Sequence, residues 1–300
     1  MRASSGRSGS PASARGKSHR SLPAVFHERA YAKLNLVLQV GRPRGDGMHP
    51  LCSLFASLDL ADDVQGEPTD HGADSVECPG VEGPNLARAA LAAFRERVGP
   101  ALPPVAVRIE KRIPVAAGLG GGSADAAAVL RVANRIASEP LDATGLHEIA
   151  AGLGSDVPSQ LKPRHALVQG TGELVEPIDL PRLTALLVPA RRGLSTRAVY
   201  AQLDRMGAGR ERLQPEALRR LARVAPAELA HALDNDLQPA ALALRPELAE
   251  TLAGIRAVGA LGVAVSGSGP TCFGLFADRV VAERAAISLP EALVSELRGG

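Results

Sequence analysis

The stretch PVAAGLGGGSADAAAVL, residues 114–130, decides how the rest of the chain is read. Gly118, Gly120, Gly121 and Gly122 fall within five positions, Ser123 follows, and an alanine-rich segment begins at Ala124. A P-loop needs G-x-x-x-x-G-K-[ST], and no lysine follows these glycines. The dinucleotide fingerprint G-x-G-x-x-G fails because Ser123 stands three positions after Gly120. What remains is the capacity those motifs share. Glycines let backbone N–H groups approach an anion without side-chain interference, and the helix that comes next points its positive dipole end at the same place. A polyphosphate fits that description. A tight strand-to-helix connection, in which glycine only permits close packing, fits the cluster as well when it is taken alone.

On either side of the loop, VAVRIEKRI (105–113) alternates and ends at Pro114, so a strand runs into the glycine loop, and small and apolar residues recur at helical spacing from Ala124 to about Ala137. Upstream, YAKLNLVLQV (31–40) reads as a half-buried strand with Leu34, Leu36, Leu38 and Val40 on one face and Lys33, Asn35, Val37 and Gln39 on the other. GRPRGDGMHP (41–50) is a loop, LCSLFASLDLADDV returns as an extended run, and Asn85 caps a helix over 85–98. Downstream, LHEIAAGL is helical and stops at Gly154 in what suits a left-handed cap. HALVQG and LTALLVP are strands flanking the charged turn GTGELVEP. PEALRRLARV, PELAETLAGIRAVG and VVAERAAI are helices. GVAVSGSGPTCFGLF (262–276) reads as strand, tight loop, strand, and EALVSEL as a closing strand. Hairpins mixed with helices give an α+β class, and the length favours two domains, divided near Pro181: 23–180 and 181–300, after a tail over 1–22.

Three further places carry chemistry. The chain has only four lysines, Lys17, Lys33, Lys111 and Lys162, against a large excess of arginine. Lys33 sits inside an apolar strand, about 7 Å along from Asn35 on the same face. A compact ammonium there suits control of a phosphoryl group or a nearby carboxylate, although a lysine whose stem packs while its head reaches water reads the same way. Asp156, in GLGSDVPSQL, follows a Gly-Ser break two residues before Pro158 and could simply cap a helix. Gly267 and Gly269 make a second backbone loop, which could equally be a hairpin turn.

Composition removes several classes. The first twenty residues carry Arg2, Arg7, Arg15, Lys17 and Arg20 and no acid, so a net charge of +2 leaves the body of the chain mildly acidic. That balance, with 2% aromatic residues and no Trp, argues against a nucleic-acid partner. No apolar run is long enough for a membrane helix. Cys52, Cys78 and Cys272 form no C-x-x-C pair, which favours a reducing, cytoplasmic setting. The segment over 1–22 reads as a disordered basic extension. Oligomeric state is left open.

Taken in order, AKLNL, DGMHPLCSLF, PVAAGLGGGSADAA, GSDVP and VSGSGPTC resemble the GHMP small-molecule kinase superfamily, from about Tyr31 to the end. The pattern P-x-x-x-G-L-G-x-[GS]-S-[AS] is specific to that superfamily. The A-K-[LV]-N-[LV] start, the D-G-[YF]-H block, matched here save at Met48, and G-[SA]-D-V-P mark the branch whose alcohol substrate carries a cytidine diphosphate. The resemblance implies an N-terminal domain like the second domain of ribosomal protein S5 and a ferredoxin-like C-terminal domain. It implies ATP lying against Pro114, Val115, Ala116, Ala117, Gly118, Leu119, Gly120, Gly121, Gly122, Ser123 and Ala124, with Ser123 facing Mg²⁺. Lys33 and Asp156 match the catalytic pair. Asn35, Met48, His49, Tyr200, Gly267 and Gly269 match substrate contacts, with His49 at the cytosine edge. Met48 departs from the family, which has an aromatic residue before this histidine, and only a thioether is left there to pack on a ring. A kinase for another alcohol, or an ATP-binding module without turnover, are the alternatives. The DGMH block and Asn35 argue against the first, and the joint presence of Lys33 and Asp156 against the second.

Overall fold

The structure, a computed structural model, describes residues 24–70 and 72–299. The tail expected over 1–22 lies outside them. The chain opens with β1 (Phe26–Val40), β2 (Leu51–Pro68) and β3 (Ser75–Glu77), then α1 (Leu86–Val98), β4 (Val105–Glu110), α2 (Gly121–Ile136), α3 (Ala143–Leu153) and the single turn α4 (Val157–Gln160). A hairpin of β5 (Ala166–Gly170) and β6 (Leu174–Pro177) is next. Then come β7 (Thr184–Val188), α5 (Thr196–Met206), α6 (Pro215–Leu221), α7 (Pro226–His231), β8 (Asp234–Asn235), α8 (Gln238–Leu244) and α9 (Glu247–Ala257). The chain closes with β9 (Gly262–Val265), β10 (Cys272–Phe276), α10 (Arg279–Ala286) and β11 (Leu293–Glu296).

The first sheet runs β3-β4-β2-β1-β8, with β5 also on β2 and β6 on β5. Strand β2 is long enough to serve two partners: its first residues pair with β5 and its last with β4. The second sheet runs β11-β7-β10-β9 with antiparallel neighbours. Its strands thus stand in the order fourth, first, third, second, and the helices between first and second and between third and fourth make it the ferredoxin-like β-α-β-β-α-β arrangement. The fold is α+β with two sheets.

One apolar cluster joins the sheets, with Leu34, Leu54 and Leu58 from the first packed with Leu187, Phe273 and Leu275 from the second. On the other side of the first sheet, Phe94 and Leu91 of α1 and the alanines of α2 pack over Ile109 and Val107 of β4. The alanines make a thin helix face that brings the start of α2 close to the sheet. Among the described residues no helix is long and apolar enough to cross a membrane.

Several expectations are corrected. The alternation read over 31–40 does not hold, because β1 is bulged between Tyr31 and Lys33 and again between Asn35 and Val37. A bulge inserts one residue and turns the residues after it to the opposite faces. Lys33 and Asn35 share a face as expected, but Leu38 joins them, while Gln39 turns to the other side and accepts from the Gln214 N–H at 2.7 Å. Helix α2 begins at Gly121 rather than Ala124, so two of the glycines are helical. Gly154 has φ 166 and ψ 155, extended backbone and not a left-handed cap. GTGELVEP contains β6, since Val168 and Gln169 pair with Val175 and Leu174. Asn85 caps α1 as read, its Oδ1 accepting from Ala87 N–H at 2.8 Å.

Candidate active site

The two bulges aim Lys33 and Asn35 at a cleft of about 500 Å³ lined by both halves of the chain. Lys33 Nζ donates to Asn35 Oδ1 at 2.6 Å and lies 3.1 Å from Asp156 Oδ2. It also sits 4.7 Å from the centre of the Phe55 ring. The lysine side chain is 5% exposed and that of Asp156 27%, so a buried ammonium meets a carboxylate that reaches the cleft. Asp156 stands at the N-cap position of α4 without a capping bond from its side chain, which leaves the carboxylate to Lys33. Asn35 is fixed from behind, its Nδ2 donating to Ser53 Oγ at 2.9 Å, and Ser53 donates in turn to the Val37 carbonyl at 2.7 Å.

The glycine loop lies directly against this group. The Lys33 N–H donates to the Leu119 carbonyl at 2.9 Å. Gly118 is in the left-handed region at φ 77, and a Cβ there would come 2.5 Å from the Ser266 carbonyl oxygen. Helix α2 then starts, and its first turn leaves the N–H groups of Gly121, Gly122 and Ser123 without partners inside the helix. Ala124 donates to the Gly120 carbonyl at 2.9 Å and Pro114 has no N–H, so these two ends of the expected ATP stretch contribute position rather than donors. Three convergent N–H groups at a helix start make a site for an anion.

A buried charge triad anchors the loop. Lys111 Nζ lies between Asp62 and Asp125, 2.6 Å from the latter, and Asp62 also accepts from the N–H of Ile113 at 2.8 Å. Burial pushes the Asp125 carboxyl up to about 7 against the pull of Lys111, with Asp62 pushing the same way as burial. Burial also pulls Lys111 down, but its two carboxylates outweigh it and hold it above its ordinary value. Beyond the triad, Val81, Pro84 and Leu86 make an apolar end to the cleft, with Cys78, Asn85 and Lys111 beside them. Sequence reasoning assigns none of these residues to the site. Asn85 is legible only as a helix cap, and nothing in local spacing tells that the chain before α1 crosses the loop.

From the second half, Gly267, Ser268, Thr196 and Tyr200 line the cleft. Burial and the nearby Asp156 push the Tyr200 phenol up to about 12, so it stands there neutral. Gly269 backs the glycine loop, its carbonyl oxygen 2.7 Å from where a Cβ on Gly118 would lie. Met48 and His49 are outside the cleft lining and meet it through Tyr200, whose ring lies 5.1 Å from the imidazole at a 50° tilt. His49 Nδ1 donates to the Gly41 carbonyl at 2.9 Å, and Nε2 faces the Asp204 carboxylate at 3.4 Å. Both ring nitrogens therefore have protein partners. Met48 is half exposed.

The GHMP kinases N terminal domain family matches residues 85–162, and the GHMP kinases C terminal family residues 216–295. The 4-diphosphocytidyl-2-C-methyl-D-erythritol kinase of Streptomyces coelicolor is 43% identical over 262 residues, 83% of this chain and 87% of that protein. The enzyme of the same name from Mycolicibacterium smegmatis is 45% identical over 261 residues, 81% of this chain and 79% of its own length. A crystal structure of a 4-(cytidine 5'-diphospho)-2C-methyl-D-erythritol kinase, 36% identical, superposes with a TM-score of 0.78 over 92% of this chain and 100% of that one. The fold is that of the GHMP kinases, and the chain is one of them. Identity at this level over most of both chains narrows the assignment. The chain belongs to the 4-diphosphocytidyl-2-C-methyl-D-erythritol kinase family.

Proposed function

We infer that the protein transfers the γ-phosphoryl group of ATP to the 2-hydroxyl of 4-diphosphocytidyl-2-C-methyl-D-erythritol, giving the 2-phosphate and ADP in the non-mevalonate route to isoprenoid precursors. The observation that carries this reading is the contact of Lys33 Nζ with Asp156 at 3.1 Å directly beside the glycine loop. A base for a hydroxyl and a cradle for phosphates are thus one group.

In this reading the N–H groups of Gly121, Gly122 and Ser123 receive the phosphates, and the apolar end at Val81, Pro84 and Leu86 receives the base. Among the described residues no three His, Cys, Asp or Glu side chains are grouped to hold a metal. Mg²⁺ usually takes one or two protein ligands and completes its shell with phosphate oxygens and water, so a donor set as small as the Ser123 hydroxyl with a nearby carboxylate fits it. Bound ATP with Mg²⁺ supplies the phosphoryl group and neutralises part of its charge. Asp156 accepts the proton of the attacking hydroxyl, worth about 10²–10⁴ in rate for a placed base. Lys33 orients that carboxylate and counters the negative charge that gathers as the phosphoryl group arrives. Positioning and charge stabilisation carry most of phosphoryl transfer, which suits so rigid a group. Asn35, Gly267 and Gly269 shape the alcohol end, and Tyr200 with Met48 and the loop held by His49 faces the cytidine handle. The enzyme acts in the cytoplasm.

The test is product identification. Incubated with ATP, Mg²⁺ and the cytidine-linked alcohol, the protein should release ADP in step with a new phosphomonoester seen by ³¹P NMR, and a chelator should stop both. ADP release without that monoester, or only with a different alcohol, would overturn the substrate assignment.

A further inference from the structure

Asn235 lies in β8, which adds to β1 in parallel with Asn235 opposite Leu38, and it is 5% exposed. Its side-chain amide is engaged at both ends. Nδ2 donates to the carbonyls of Val265 at 2.7 Å and Gly267 at 2.8 Å, and Oδ1 accepts from the Leu237 N–H at 2.9 Å. Strand β8 belongs to the sheet that carries Lys33, whereas Val265 and Gly267 belong to the end of β9 and the loop behind it, in the other sheet. The amide is therefore a bridge between the two sheets, bonded to Leu237 and Gly267, which line the cleft.

Gly267 is where that bridge bears on the reaction. Its backbone is left-handed at φ 56, and a Cβ on it would stand 3.1 Å from Asn35 Oδ1 and 3.7 Å from Lys33 Nζ. The same segment is held at other points as well: Ser266 Oγ donates to the Gly118 carbonyl at 3.0 Å, the Thr271 N–H to the Ala117 carbonyl at 3.2 Å, the Val265 N–H to Gln238 Oε1 at 2.8 Å, and the Ser268 and Thr196 hydroxyls meet at 2.9 Å. Each of those is a single hydrogen bond, and none of them reaches the Gly267 carbonyl beside Lys33 and Asn35. A planar amide holding two carbonyls two residues apart fixes the loop's height and direction together.

We propose that Asn235 is a positioning residue for the transfer step, holding the Val265 and Gly267 carbonyls so that the second-sheet loop stands at a fixed distance from Lys33, Asn35 and Asp156. The proposal deepens the kinase reading and rests on it. With the bridge cut, both sides of the cleft still bind, but the acceptor and the phosphoryl group no longer meet in line. A misplacement of about 1 Å at such a centre costs up to about a hundredfold in rate.

The experiment compares wild type with Asn235→Ser and Asn235→Asp, each confirmed folded at the assay temperature by circular dichroism and a melting curve. The expected result is a kcat lower by about tenfold to a hundredfold, with KM for ATP and for the alcohol both within about threefold of wild type. Loss of folded protein alone would scale the active fraction and would not depress kcat per active site measured by single-turnover titration. Asn235→Asp adds a second readout and carries the decision if the serine variant does not fold. Its carboxylate faces two carbonyls, and protonation returns one donor, so its kcat relative to wild type should recover as the pH is lowered from about 8 to about 6. Folded variants with wild-type kcat, or failure of both to fold, would overturn the proposal. A wild type that turns nothing over would instead bring down the kinase reading, and this proposal with it.

Discussion

Gly120 and Lys33 are in contact through a hydrogen-sized gap: a Cβ built on Gly120 would lie 2.9 Å from Lys33 Cγ, with the glycine in the left-handed region at φ 72. The last residue before α2 and the buried lysine stem therefore fix each other. Gly120→Ala must both strain the backbone by about 1–2 kcal/mol and push the Lys33 stem. We expect kcat to fall at least tenfold while the melting temperature drops by only a few degrees. Steady-state kinetics beside a thermal melt check it, and a variant with unchanged kcat would mean that the contact is slack.

Ala116, four residues earlier, is a non-glycine residue at φ 53. Ala116→Gly relieves strain of about 1–2 kcal/mol and adds about 0.4–1 kcal/mol of unfolded-chain entropy. Relief of strain outweighs the added entropy, so the urea midpoint should rise slightly, where an ordinary alanine-to-glycine change would lower it.

The sequence made part of this site legible, and the reason is local. Lys33 and Asn35 are two residues apart with a bulge on either side of the pair and none between them, so period-two reasoning placed them on one face correctly. It failed from Val37 onward because the second bulge is a property of pairing with β2. The glycine run and Asp156 sit at element ends, where spacing alone marks a break in the chain. Asn235, Asp204 and the apolar end at Val81 and Leu86 owe their places to contacts distant in sequence, and Gly154 looked like a helix cap although its backbone is extended. The α+β class came from the order of strands and helices; helices α5, α7 and α8 did not, being short or richly charged.

Met48 is half exposed beside His49, and the imidazole rests on Tyr200. Replacing it by phenylalanine offers a second ring to the cytidine handle. An aromatic pair is worth about 0.5–1.5 kcal/mol beyond its area, so Met48→Phe should lower KM for the cytidine-linked alcohol about threefold to tenfold, leaving kcat and the KM for ATP alone. No change in KM would place the cytosine elsewhere.

Two buried groups give stability opposite pH slopes. Burial holds His165 below its ordinary value while its Nδ1 accepts the Ser57 N–H at 3.0 Å. The unfolded chain takes up that proton first, near pH 6.5, so the stability His165 contributes is present above that pH and is lost as pH falls through its folded value. Asp125 runs the other way: raised to about 7 in the fold, its contribution is full below its unfolded value and is lost as pH rises through about 7. Urea unfolding between about pH 5 and 8 should show His165→Gln losing less stability on acidification than wild type, and Asp125→Asn losing less on alkalinisation. Unaltered slopes in both variants would contradict the assignment.

In the kinase reading Asp156 takes the hydroxyl proton and Lys33 holds that carboxylate in place. The direct measurement is kcat of Asp156→Asn and Lys33→Ala with the cytidine-linked alcohol, alongside ATP affinity by calorimetry in the same preparations. The expected kcat is lower by about 10²–10⁴ in each, with ATP affinity within a few-fold of wild type because the phosphate cradle of Gly121, Gly122 and Ser123 is left intact. Near wild-type turnover by folded Asp156→Asn would contradict it, and the base would have to be sought elsewhere in the cleft.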